Sequence, residues 1–380
     1  MRKCELKGNG SSENRRNSSF ELLRIICMLL IVANHYATHG GFSINGVSDI
    51  TPGAVFIQLI NMFGKISCSV FALISGFFMV NRGFEKHYRR IVPLAVQYLF
   101  YSITIYCFFR VFIPDMITES LTIRAFFPIT HIGNWYISYY LLFYLFTPYL
   151  NLMFAQLDFS RHTQLIALLY LIWMVCPSLF GATWGFGRLF FFLVMYSTGA
   201  YIKLYIYRKS NYSNRINFWV MLGALAVVLG SVVWFDWRGS VLGDDTIISS
   251  AERFREYDTI PAVVLAVSAF MFFMNVSFHS EVINQIGKCT FGIYLIHDNP
   301  LVRELIWKRV SPNYVYVNSP WIHAAAKIAI VFCVSLIIEM IRQKTIGKWF
   351  DSWFMGSCDK WWNAVKNETY RGKMCKRQTK

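Results

Sequence analysis

Residues 20–38 read FELLRIICMLLIVANHYAT, and this stretch decides the fold. A helix that spans a bilayer needs about 20 mostly apolar residues, and this run has that length. Its exceptions are Glu21, Arg24, Asn34 and His35. An ionisable group near mid-bilayer costs at least about 2.5–3.5 kcal/mol on insertion scales, so it is a functional candidate by default. Ten residues separate Arg24 from His35, and the eleven steps of about 100° between them make three turns plus about 20°. The two therefore share a helix face, about 16 Å apart along the axis, with Cys27, Met28 and Ile31 between them. A snorkelling arginine or a satisfied interfacial histidine would each be ordinary. Both on one face, with Asn34 beside the histidine, point to a site.

The rest of the chain has the same character. Of 380 residues, 55% are hydrophobic and only 15% charged, where a soluble protein carries about 25%. The mean hydropathy is +0.40. The net charge of +16 would suit a nucleic-acid-binding domain, but the Lys and Arg fall in short clusters between long apolar runs, as in a polytopic membrane protein. No nucleic-acid partner is expected; the bilayer is. Ten spans are predicted, near 20–38, 54–80, 91–113, 135–155, 164–181, 188–207, 216–236, 258–278, 286–306 and 321–342. The ninth is the least apolar, because it contains Lys288, His297, Asp298, Pro300, Arg303 and Glu304. Sheet edges cannot be satisfied in lipid, and the runs lack the two-residue alternation of a membrane barrel. The expected fold is an all-α bundle.

With the N-terminus inside, the inner segments hold 25 Lys and Arg against seven in the outer loops. Without the two tails the ratio is 10 to 7. The positive-inside rule then places both termini in the cytoplasm, with the chain in the plasma membrane. No cleavable signal peptide is evident. Six cysteines fall inside predicted spans and Cys4, Cys358 and Cys375 in the tails, so neither a disulfide framework nor a thiolate zinc site is expected. Three regions follow: a disordered polar tail at 1–19, a membrane domain at 20–342, and a basic amphipathic tail at 343–380. In that last tail Trp349, Phe350, Trp353, Phe354, Trp361 and Trp362 recur at near-helical spacing among Lys348, Lys360 and Lys366, as in a helix lying on a membrane surface.

A basic residue, ten residues and then histidine in the first span is the hallmark of acyltransferase family 3, the ten-span membrane O-acetyltransferases of cell-envelope polysaccharides, which this chain resembles. Four further stretches are similar to the family's segments. They are VFALISGFFMV with Ser75 and Gly76, RRIVPL with Arg89, Arg90 and Pro93, NWYISYYLLFYLFTPYLN with Trp135 and Tyr136, and KCTFGIYLIHDNP with Tyr294, His297 and Asp298. They come in the family's order over residues 19 to about 342. The family often has Arg-x-Arg before the third span; here the arginines are adjacent and the earlier position is His87. The esterase-like domain attached to some relatives is not seen. The resemblance implies acetyl-CoA as donor, with no bound cofactor, and an envelope glycan as acceptor.

The residues suit that chemistry. Transfer to a sugar hydroxyl needs a base, and histidine's ordinary pKa of about 6.5 lies near working pH. His35 is the expected catalytic residue, either deprotonating the acceptor or carrying the acyl group covalently. An anionic donor calls for cationic, forked groups at the cytoplasmic mouth, and the topology puts Arg24, Arg89 and Arg90 there. Ser75, Trp135, Tyr136, His297 and Asp298 are candidates for lining the cavity or meeting substrate. Each also has a plainer reading. Ser-Gly is common packing chemistry between membrane helices, Trp and Tyr form interfacial belts, and His297 and Asp298 can simply hold helices together. Glu339 is expected to pair with a nearby basic residue, while Lys65 and Lys327 have no evident role. No metal is expected. G-x-S-x-G, H-E-x-x-H and P-loop patterns are missing, so serine or zinc proteases and ATP-driven pumps lack support. The alternative is a multi-pass transporter or flippase of a glycan-related substrate, although no paired, interrupted repeats of the transporter kind are visible.

Overall fold

A computed structural model describes residues 17–44, 46–180, 187–207 and 214–347, with Gly356. The proposed N-terminal tail up to residue 16 and, apart from Gly356, the amphipathic tail beyond residue 347 lie outside these. Among the described residues there is no strand, as the hydropathy pattern requires.

The chain starts with α1 (Ser19–Thr38), then α2 (Pro52–Asn61) and α3 (Phe63–Met79), which follow one another across a bend at Met62. Next come α4 (Phe84–Phe112), the short α5 (Glu119–Phe126) and α6 (Trp135–Gln156). Helix α7 (Phe159–Tyr170) runs through a π-turn into α8 (Cys176–Phe180), and α9 (Arg188–Tyr201) ends in a second π-turn. Then follow α10 (Asn214–Leu242), the short α11 (Asp245–Ser249), α12 (Ile260–Met274), α13 (Glu281–His297), the short α14 (Pro300–Glu304) and α15 (Trp321–Arg342). Nine helical stretches among the described residues are long and apolar enough to cross a membrane.

The ninth expected span departs from this pattern. Hydropathy predicts a single helix over 286–306, with His297 and Asp298 at its middle. Instead α13 stops at His297, 17 residues from its start, and a separate helix begins at Pro300. Proline has no N–H to donate and disfavours a helical residue before it. Asn299 accordingly turns extended (φ −60°, ψ 133°) and caps α14, its side chain accepting from Leu301 N at 3.0 Å. Asp-Asn-Pro is a helix-start signal, outweighed in the sequence by the apolar residues on either side. Non-helical backbone at membrane depth persists only inside protein or along a cavity, and this break is inside: Asp298 is 3% exposed.

Helix α1 is the hub, packing against α2, α3, α12, α13 and α15. Its first turn is anchored by Ser18, whose N–H donates to Phe278 O and whose Oγ accepts from Ser280 N. Helices α3 and α9 cross at glycines. A Cβ on Gly76 would lie 2.1 Å from Tyr196 O, and one on Gly199 2.2 Å from Leu73 O, so the Ser75-Gly76 pair supplies close packing through its glycine. Outward faces are apolar: Phe108, Val111, Phe146, Tyr149, Ile330 and Ile337 are all exposed, as side chains meeting lipid should be. The lysines without an evident role in the sequence are structural. Lys65 is paired with Glu256, and Lys327 donates to Val310 O, Ser311 O and Asn313 Oδ1 at 2.7–2.9 Å.

Candidate active site

Two features meet on the α1 face that carries Arg24 and His35. The first is a cavity of about 230 Å³. At the end where α1 begins, its wall includes Arg24, Arg90 and Lys288; along its length Met28, Ile31, Phe71 and Leu94 make it apolar. Its far end is formed by Cys68, Tyr136 and Tyr294. Ile31 lies one helical turn short of His35, so the cavity follows the predicted face but stops before the histidine. Arg24 is held in place: Nη1 donates to Glu21 Oε1 and Oε2 at 3.0 and 3.2 Å. Glu21 is buried against Gly287 of α13, where a Cβ would come within 2.4 Å of Glu21 Oε2. The missing side chain at 287 is what lets α13 approach this ion pair.

The second feature is a polar cluster where α1 ends and α13 breaks. His35 Nδ1 lies 3.0 Å from His297 Nε2, and His297 Nδ1 lies 2.6 Å from Ile293 O. A carbonyl only accepts, so His297 carries its proton on Nδ1 and offers Nε2 as acceptor. His35 must then carry a proton on Nδ1, so that in the neutral ring Nε2 keeps its lone pair. The hydrogen-bond network thus assigns His35 the tautomer of a base. Asp298 Oδ1 lies 3.5 Å from His35 Nδ1, 3.6 Å from Arg303 Nε and 4.0 Å from His39 Nε2. Arg303 Nη1 donates to His39 Nε2 at 3.3 Å. Asn134 Nδ2 donates to Asp298 O at 2.6 Å and to Oδ2 at 2.8 Å, and Tyr98 Oη accepts from Asn134 N at 2.7 Å. One carboxylate, one guanidinium and neutral imidazoles make a cluster without net charge, the form in which ionisable groups are tolerated at depth.

The ligand atoms of His35, His39 and Asp298 lie within 4.8 Å of one another, the compactness of a metal site. Arg303, however, already donates to His39 Nε2 and flanks Asp298. A dication there would sit against a guanidinium, so the donor set is that of an ion network.

Exposure rises through the cluster, from His297 (0%) to the side chains of His35 (13%), His39 (24%) and Arg303 (27%). The histidines are therefore reached from the end where α1 finishes, while the cationic part of the cavity lies at the end where α1 begins. Tyr294 stands between them, its ring 6.1 Å from that of His297.

The other expected residues divide. Arg90 lines the cavity; Arg89 is exposed and does not. Ser75 lines it too, with Oγ donating to Phe71 O at 3.0 Å and 3.3 Å from Tyr140 Oη. Tyr136 faces inward, donating to Cys68 O at 3.3 Å. Trp135 lies outside the cavity beneath the Arg188 guanidinium, 5.0 Å from its ring centre, a cation–π contact. Glu339 pairs with Arg342 at 2.8 Å and accepts from Tyr101 at 2.6 Å. The structure adds His39 and Asn134, which sequence reasoning missed, and gives a place to Lys288 and Arg303, which the sequence marks only as charges in the ninth span. His39 had a signal, since four residues after His35 it falls on the same helix face.

A family profile described as an acyltransferase domain, family 3, matches residues 17–340. The chain belongs to that family. No curated protein and no solved structure matches it. The match spans every element that builds the cavity and the cluster, so the chain is a multi-pass membrane acyltransferase. It works in a lipid bilayer on an acyl donor and an acceptor.

Proposed function

We propose that this acyltransferase moves an acetyl group from cytoplasmic acetyl-CoA to a hydroxyl of a cell-envelope or exopolysaccharide glycan outside the plasma membrane, with both termini in the cytoplasm. The observation that carries the reading is the pairing of a cavity with a cationic mouth and a histidine cluster reached from the other end. Arg24, Arg90 and Lys288 suit the phosphates of a nucleotide thioester. The apolar length beyond them suits a pantetheine arm, and Arg24 and His35 are about 16 Å apart along α1, comparable to that arm extended.

In this reading His35 Nε2 takes the proton of the acceptor hydroxyl as its oxygen attacks the thioester carbon. His297 holds the reactive tautomer. Asp298, 3.5 Å from His35 Nδ1, stabilises the imidazolium that results. The collapse of the intermediate breaks the C–S bond, and the thiolate leaves with the proton that His35 gained. The exposure of His35 toward the end remote from the cationic mouth favours direct deprotonation over an acyl-histidine.

The test is purified protein in detergent with acetyl-CoA and isolated envelope glycan. Release of CoA that depends on glycan, with new acetyl signals in the glycan NMR spectrum, is expected. Transport of glycan without consumption of acetyl-CoA would favour a flippase instead.

A further inference from the structure

Tyr294 is the residue that the cavity and the histidine cluster have in common. Its ring closes the far end of the cavity, and three residues further along the same face of α13 stands His297, with the two ring centres 6.1 Å apart at 80°. The residue is 6% exposed, and its buried hydroxyl makes no hydrogen bond of good geometry, although the Asp298 carboxylate is within its reach. Buried hydroxyls are almost always satisfied, because leaving one unpaired is unfavourable, and phenylalanine would fill the same space without that cost. The neighbouring phenol is already engaged. Tyr136, whose ring lies 6.3 Å from that of Tyr294, donates to Cys68 O. Tyr294 Oη, its proton free to turn from the Asp298 carboxylate to a ligand, thus stands where a thioester reaching the end of the cavity would place its carbonyl.

We propose that Tyr294 Oη–H is the oxyanion donor of the transfer reaction. The assignment rests on the proposed acetyl-CoA chemistry. As the acceptor oxygen bonds to the thioester carbon, the carbonyl π pair moves onto its oxygen, and that developing charge receives the phenolic hydrogen bond. When the intermediate collapses the pair returns to re-form C=O, the C–S bond breaks, and Tyr294 keeps its proton throughout. The donor is preorganised, so it costs no reorientation at the moment of reaction.

The test is Tyr294→Phe, assayed beside wild type and His35→Ala with acetyl-CoA and isolated glycan. Removing an oxyanion donor lowers kcat about 100- to 1,000-fold. The account expects that loss, a KM for acetyl-CoA within about twofold of wild type, and a thermal midpoint unchanged or raised. A kcat within about threefold of wild type would overturn the assignment. So would a lowered midpoint or failure to fold, since the hydroxyl would then be a structural group, for example one turned to Asp298 Oδ1, which likewise makes no hydrogen bond of good geometry. If wild type itself consumes no acetyl-CoA, the proposed function fails, and the role of Tyr294 falls with it. If wild type is active and only Tyr294→Phe is unaffected, the function stands and the oxyanion assignment alone is lost.

Discussion

Replacing His297 separates its role as a positioning residue from mere packing. Its Nε2 accepts from His35 Nδ1 at 3.0 Å, and its own Nδ1–H is fixed on Ile293 O. In His297→Ala the His35 ring loses the partner that selects its tautomer. A net hydrogen bond of about 0.5–1.5 kcal/mol is a bias of roughly 2- to 13-fold toward the tautomer with a free Nε2 lone pair. The ring also loses its orientation, and a misplacement of about 1 Å costs on the order of 100-fold. The combined loss in kcat is about 100- to 1,000-fold, or about 2.7–4 kcal/mol of transition-state stabilisation. His297 is absent from the cavity wall, so the KM for acetyl-CoA should stay within about twofold, the signature of an interaction made only in the transition state. Because the ring is fully buried, the variant also loses stability, on the scale of about 2–5 kcal/mol seen for large-to-small changes. The assay is therefore made on the fraction that remains monodisperse in detergent. His297→Gln, whose side-chain oxygen can accept the same proton, should recover part of kcat. A well-folded His297→Ala with kcat within about threefold of wild type would refute the tautomer argument.

Further outcomes follow from the cavity and the topology. Arg24→Ala should weaken acetyl-CoA binding by about tenfold or more, with Arg24→Lys recovering part of the loss, since charge survives but the fork does not; titration in detergent measures it. Gly287→Ala should raise the KM for acetyl-CoA several-fold with little change in kcat, because the new Cβ, 2.4 Å from Glu21 Oε2, displaces the carboxylate that positions Arg24. Single cysteines in a cysteine-free background report sidedness. One at Ser48 should react with an impermeant thiol reagent in intact cells, and one at Asn81 only after permeabilisation; the reverse pattern inverts the topology.

Much of this architecture is legible in the sequence, because hydropathy over some 20 residues is a local signal. The shared face of Arg24 and His35 follows from helix geometry alone. Contacts between distant residues are not legible. Lys65 pairs with Glu256, 191 positions away, and Asn61 donates to Glu252 over the same separation at 2.8 Å; nothing local announces either. His297 and Asp298 stand out as candidates in the sequence, but their partners do not, since His35 meets His297 across 262 residues. The break at Asp298 shows the opposite failure. A local signal is present in Asp-Asn-Pro, and the apolar run around it outweighs that signal. Arg303 counts in the sequence only as a charge out of place in a span, and the break is what turns it back toward Asp298 and His39.

The central claim, that His35 is the base of acetyl transfer, is tested most directly by single-turnover transfer of radiolabelled acetyl from acetyl-CoA to isolated glycan, comparing wild type with His35→Ala. General bases contribute about 100- to 10,000-fold, and a small neutral residue leaves the first span more apolar than before. The account predicts normal expression, normal donor binding and a transfer rate lower by at least about 100-fold. A well-folded His35→Ala protein that transfers acetyl at more than about half the wild-type rate would contradict it.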